Sequence, residues 1–255
     1  MQNLSKNLNK SIKVSVPYIG LKEFNAVKPV FLNGKFVSGK NVALFEKKFS
    51  KYINTKYACA VNSGTAALHT ALQCLGLKKN DEVIVPAISF MSTATAVLQN
   101  GNIPVFCDVK LDDYCLDPFD FEKKITKKTK AVIVVHFTGN VCEMNMIIKI
   151  AKKNNIRIIE DCSQSHGSKY KNKKVGGFGD ISCFSFYATK HMTTGEGGIL
   201  CYQNKKYELT AKKFRNHGLK NRNEHEILGF NYRMNEISGI MGCIQLRSLD
   251  KFNKK

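Results

Sequence analysis

Short apolar runs alternate along this chain with stretches in which apolar residues recur every three or four positions. The runs near 57–61, 82–85, 103–107, 131–135, 156–160, 181–186 and 198–202 predict strands, and the helical spacing near 64–75, 91–99, 143–154, 205–216 and 235–249 predicts helices. Strands that alternate with helices in this way build βαβ units, so the pattern predicts an α/β fold with a largely parallel sheet and functional loops at the strand ends. No internal repeat, low-complexity linker or interior domain boundary interrupts it. Residues 1–40 are expected to form an arm and a helix outside the sheet, 41–250 the main domain, and 251–255 a tail.

Two strand ends carry candidate chemistry. The run Ile156-Arg-Ile-Ile159 delivers Glu160-Asp161, and the run Ser182-Cys-Phe-Ser-Phe-Tyr187 leads through Ala-Thr to Lys190 and the turn Thr194-Gly-Glu-Gly-Gly198. Pyridoxal phosphate needs both types of group: a lysine to hold it as a Schiff base and an acid to keep its pyridine nitrogen protonated. Lys190 and Asp161 are the candidates. Phe184, Phe186 and Tyr187 offer the partly desolvated setting in which a lysine amine becomes reactive. Most of the 35 lysines must be ordinary solvated charge, and Lys190 taken alone competes with that reading.

A third segment resembles a phosphate cradle. The strand Tyr57–Val61 ends in Asn62-Ser-Gly-Thr65 just before a helical pattern, which would aim free N–H groups, hydroxyls and the positive end of a helix dipole at an anion. Ser and Thr also favour that position as plain helix caps, which is the better reading of the segment in isolation.

Taken together, Asn62-Ser-Gly-Thr-Ala-Ala-Leu68, Asp81-Glu-Val-Ile-Val-Pro86, Glu160-Asp-Cys-Ser-Gln-Ser-His-Gly167, Gly176-Gly-Phe-Gly-Asp180, Phe184-Ser-Phe186 and Thr194-Gly-Glu-Gly-Gly198 closely resemble the DegT/DnrJ/EryC1/StrS family of sugar aminotransferases. The resemblance runs from about Ser15 to Leu249. It implies the large domain of a fold-type I pyridoxal phosphate enzyme, which would pass an amino group from an amino acid, glutamate by analogy, to a nucleotide-linked keto-sugar. Lys190 matches the Schiff-base lysine, Asp161 the partner of the pyridine nitrogen, and Gln164 the residue near the cofactor's phenolic oxygen. Gly64, Thr65 and Ser185 match phosphate binders. Phe90 falls where an aromatic ring stacks on the pyridine, although a core role fits it nearly as well. Asn231 matches a residue that reaches the neighbouring subunit's cofactor phosphate, which implies a homodimer with shared sites. Related sugar dehydratases replace the lysine with histidine, so Lys190 disfavours that chemistry. Family members continue beyond the helix at 235–249 into a small C-terminal domain, which is expected to be missing here, with activity impaired or dependent on a second polypeptide.

Other polar residues receive weaker readings. His166 and His191 flank the candidate site without metal-ligand spacing, and no metal is expected. His136 ends a strand, where a structural role and a place facing the site are equally open. Glu196 would orient its loop, while Arg215 and His217 read as loop or subunit contacts. Gly176-Gly-Phe-Gly lacks the full dinucleotide fingerprint.

Composition changes the picture little. With 43% hydrophobic residues the chain is globular, and 255 residues suffice for one large core. Nine scattered cysteines without a C-x-x-C pair predict reduced, buried thiols and a cytoplasmic protein. Residues 1–10 are polar and no long apolar run exists, so neither a signal peptide nor a membrane span is expected. The net charge of +20 raises a competing class, a basic anion-binding protein. Thirty-five lysines against five arginines, spread along the whole chain, argue against nucleic acid as the partner.

Overall fold

The computed structural model describes residues 15–254; the part of the expected N-terminal arm that falls on 1–14 lies outside them. Helix α1 (Leu21–Asn33) opens where Glu23 turns back to accept the Gly20 N–H at 2.9 Å, and it stops at Gly34, which takes the left-handed conformation (φ 64°) that spares a Cβ clash. Helix α2 (Lys40–Ile53) buries Val42, Phe45, Phe49 and Ile53 along one stripe. Its first N–H groups have a distant partner. The Glu236 carboxylate accepts from Gly39, Asn41 and Val42, a charged cap supplied from the other end of the chain.

Strand β1 (Tyr57–Val61) feeds α3 (Gly64–Leu75), and β2 (Glu82–Pro86) feeds α4 (Ser92–Gln99). Then follow β3 (Ile103–Cys107), α5 (Pro118–Lys124), β4 (Thr129–Val135), α6 (Met144–Lys153) and β5 (Arg157–Asp161). A small hairpin, β6 (Lys169–Tyr170) and β7 (Lys173–Lys174), precedes β8 (Ile181–Ser185) and β9 (Gly198–Tyr202). The described chain closes with α7 (Lys205–Phe214), a second hairpin of β10 (Leu219–Asn221) and β11 (Glu224–His225), and α8 (Glu236–Phe252).

Seven strands form one sheet in the order β1-β9-β8-β5-β4-β2-β3. β9 runs antiparallel to both neighbours, while the other pairs are parallel. All strands except β9 therefore end at the same edge, and β9 begins there. Alternate residues feed opposite faces: Cys59, Val83, Ile133 and Ile159 pack under α3 and α7, whereas Ala58, Ile84, Val132 and Ile158 face the other side. There Phe45 and Phe49 of α2 meet Phe184 and Phe186 in edge-to-face contacts. With both faces covered, β4 is a continuous apolar run rather than an alternating one. This is the mostly parallel α/β sheet flanked by helices that the sequence predicts. α1 lies outside the sheet against α8, with the Gln245 amide donating to the Tyr18 carbonyl at 2.9 Å and to Glu23 at 2.8 Å.

Candidate active site

The shared strand edge encloses a cavity of about 380 Å³. Seven of the eight candidates from the sequence line it: Gly64, Thr65, Phe90, Asp161, Gln164, Ser185 and Lys190. They follow the ends of β1, β2, β5 and β8, which are separate in the chain but open on the same edge of the sheet.

Asp161 is the last residue of β5 and is buried. Its Oδ1 accepts the Ser163 N–H at 3.0 Å, and Oδ2 has no hydrogen-bond partner among the described residues. Lys190 sits in the loop after β8, held by its own N–H donating to the Tyr187 carbonyl at 3.0 Å. Burial pushes its amine below the usual lysine range, opposed only in part by the Asp161 carboxylate. A depressed amine beside an incompletely bonded carboxylate is the donor set that a pyridine aldehyde requires.

The cradle is built by close approach. Ser63 is extended and its hydroxyl caps α3 by accepting from Ala66 N at 3.1 Å, so the plain-cap reading holds for that residue. The next two N–H groups, of Gly64 and Thr65, have no protein acceptor among the described residues. Gly64 lies so near β8 that an added Cβ would meet Ser185 Cβ at 2.8 Å. Gly198, at the start of β9, is tighter still, with Ser63 O only 2.2 Å from the Cβ position. These glycines bring a helix N-terminus and the Ser185 hydroxyl together on one wall of the cavity, an arrangement suited to an anion.

Gln164 Oε1 accepts the Thr138 N–H at 2.9 Å, which leaves the amide NH₂ as a donor. Phe90 is 72% exposed at the rim, which excludes the core role left open above. Asn231 is exposed and lies outside this cavity; its carbonyl accepts from Asn62 Nδ2 at 3.2 Å. The structure thus does not bring it to the site of its own chain.

Tyr187, expected to desolvate the lysine, also lines the cavity, and further lining residues carry no signal in the sequence beyond position: Ser89 and Ser92 after β2, Ser163, and Thr189 before the lysine. Glu196 also lines the cavity and makes no side-chain hydrogen bond to a described residue, so its loop is held instead by its carbonyl, which accepts from the Thr194 hydroxyl at 2.7 Å.

Several weaker candidates turn inward or outward. His136 is fully buried and does not line the cavity; its Nε2 faces Glu160 at 3.2 Å. His166 is buried against Phe184 and Phe186 with neither ring nitrogen bonded, and burial, then His191 and Lys190, lower it to about 3. Arg215 is no loop-surface residue. It ties α2 to β1 by donating to Glu46 and, at 2.7 Å, to the Ala60 carbonyl. All nine cysteines are free and buried.

Comparison with known proteins agrees with this geometry. GDP-perosamine synthase from Escherichia coli O157:H7 is 40% identical over 247 residues, covering 95% of this chain and 68% of that protein. The solved structure of Helicobacter pylori PseC, an aminotransferase involved in pseudoaminic acid biosynthesis, superposes with a TM-score of 0.90 at 35% identity, covering 95% of this chain and 67% of its own. A sugar dehydratase, ColD, superposes equally well at 0.90 with 28% identity, covering 96% and 70%, so the fold alone does not separate the two chemistries. The chain spans about two thirds of the length of these relatives. The model of the DegT/DnrJ/EryC1/StrS aminotransferase family matches residues 17–255, and the chain belongs to that family.

Proposed function

We propose that this chain is a pyridoxal phosphate-dependent aminotransferase that moves an amino group from an amino acid, glutamate by family resemblance, to a nucleotide-linked keto-sugar. The observation that carries the reading is the convergence of Lys190, Asp161, Gln164 and the Gly64–Thr65–Ser185 cradle on one cavity at the sheet edge. When bound, pyridoxal phosphate supplies an electron sink that weakens bonds at the substrate's amino-bearing carbon.

The side chains supply the rest. The N–H groups of Gly64 and Thr65 and the Ser185 hydroxyl bind the phosphate. Asp161 would keep a proton on the pyridine nitrogen, and the Gln164 amide would donate to the phenolic oxygen. Phe90 covers the ring face. Lys190 would hold the cofactor by its aldehyde, and its amine, when released, would serve as the base that takes up the proton of the substrate carbon. The lowered pKa keeps that amine available as a base. Lys190 at this position supports transamination over dehydration, because the resemblance assigns histidine to the dehydratases.

Asn231, exposed and free of the cavity, supports a homodimer in which it reaches the phosphate site of a second copy. Nine buried free thiols support a reducing, cytoplasmic setting. No helix among the described residues is long and apolar enough to cross a membrane. Keto-sugar turnover is tested by incubating the loaded protein with glutamate and a panel of nucleotide-linked keto-sugars and measuring 2-oxoglutarate. A second reading is cofactor binding without turnover. It predicts a cofactor that glutamate does not discharge.

A further inference from the structure

A buried polar pair behind the cavity has no part in the chemistry above. His136 follows β4, and Glu160 precedes Asp161 in β5; both side chains are fully buried. Glu160 accepts from Gly176 N at 2.8 Å, from Phe178 N and Gly179 N at 2.7 Å each, and faces His136 Nε2 at 3.2 Å. The second ring nitrogen, His136 Nδ1, accepts the Cys142 N–H at 3.3 Å, which leaves the ring proton on Nε2 to be donated to Glu160.

His136, Glu160 and Cys162 also place their donor atoms within 4.8 Å of one another, an arrangement that invites a metal reading. The bonding argues otherwise. Both Glu160 oxygens already accept backbone N–H groups, and both His136 nitrogens are committed. Burial raises the Cys162 thiol well above its ordinary range, so it is no thiolate ligand.

The position of the pair relative to the site suggests a different role. Next to Glu160 stands Asp161, whose carbonyl accepts the His136 N–H at 3.1 Å. The turn that His136 begins contains Thr138, whose N–H fixes Gln164 Oε1. Thr138 holds φ at 50° there, a conformation that a β-branched residue adopts only when its surroundings impose it. Asp161 is thus next in the chain to one member of this buried contact, and Thr138, which holds Gln164, lies two residues from the other. We infer that the His136–Glu160 pair is a positioning device for the pyridine side of the cofactor, aligning Asp161 through β5 and Gln164 through the turn at 137–142, without touching the cofactor itself. The inference rests on the pyridoxal phosphate reading.

Two amide substitutions divide the imidazole's contacts. His136→Gln places an amide near the Nε2 position and keeps the Glu160 bond, whereas His136→Asn reaches only the Nδ1 position and keeps the Cys142 bond. The expected result with H136N is pyridoxal phosphate affinity weaker by roughly tenfold, the loss appropriate to a buried hydrogen bond to a charged group. The pH midpoint of the lysine-bound cofactor's absorbance change should also rise, since a less firmly held pyridinium proton leaves the lysine-bound nitrogen more basic. H136Q should retain wild-type affinity and midpoint. H136N that matches the wild type in both overturns the inference while leaving the cofactor assignment intact, and a wild-type protein that binds no pyridoxal phosphate overturns both. A second measurement needs no variant: in ¹⁵N-histidine-labelled protein His136 should show the Nε2-protonated tautomer and shift when pyridoxal phosphate is added. The other tautomer, or a signal indifferent to the cofactor, counts against the pair.

Discussion

Adding one methyl group at Gly64 should separate the packing of the cradle from its chemistry. The new Cβ would stand 2.8 Å from Ser185 Cβ and 3.2 Å from its Oγ, against about 3.4 Å or more for an ordinary contact, so α3 and β8 must part or twist. Overpacking of this kind costs about 1–3 kcal/mol. For a chain of this size each kcal/mol corresponds to roughly 2–4 °C in Tm, so Gly64→Ala should melt about 2–12 °C lower. The same displacement moves two N–H donors away from the phosphate, and pyridoxal phosphate should bind more weakly. Ser185→Gly in the Gly64→Ala background removes both close atoms and leaves Ser185 Cα, at 3.4 Å, as the nearest. The double variant should regain most of the lost stability, measured by thermal melting, yet still bind the cofactor poorly in spectroscopic titration, because the Ser185 hydroxyl is gone. A Gly64→Ala protein with unchanged Tm and cofactor affinity would refute the close-approach argument. A double variant no more stable than the single one would refute its assignment to Ser185.

Phe90→Ala should leave the melting temperature unchanged, since the ring is 72% exposed, while weakening pyridoxal phosphate binding in the same titration. Asp161→Asn keeps an acceptor for Ser163 N–H and so should fold, but amino transfer should drop on the order of 10²-fold or more as the charge behind the pyridine is lost; an unimpaired variant excludes Asp161 from that role. Acid sensitivity has an identifiable source in His69 and His166, which burial lowers from 6.5 to about 4 and about 3. The unfolded chain takes up these protons near pH 6.5 and the folded chain does not, so their stabilising contribution is complete above that value and is lost as pH falls from about 6.5 toward 3–4. His166→Phe should flatten the stability-against-pH curve in that window by up to about 1.4 kcal/mol per pH unit, as read by denaturant melts at several pH values.

The central strands were legible because both faces of the sheet are covered, making Val83–Val85 of β2, Ala131–Val135 of β4 and Ile199–Tyr202 of β9 unbroken apolar runs. Five helices were legible from spacing and caps. Others were not. α2 carries a regular stripe at Val42, Phe45, Phe49 and Ile53, but its charged cap comes from Glu236, which is distant in the chain. The two-residue strands of the hairpin at 169–174 are too short for any periodicity. Within the site, Lys190, Asp161 and the glycine-bounded cradle could be read because their chemistry demands particular residue types at strand ends. Ser89, Ser92 and Thr189 could not, because ordinary loop hydroxyls become lining residues only when the sheet brings their loops together. The inward turn of His136 and the bridging role of Arg215 likewise depend on partners that no local pattern announces.

The central claim is that Lys190 holds pyridoxal phosphate in a working site. The direct test is borohydride trapping of the loaded protein, followed by mass mapping of the labelled peptide, with and without prior addition of glutamate. The account predicts label on Lys190 in the absence of glutamate and its loss when glutamate is added first. Label on another of the 35 lysines, or none at all, would contradict it.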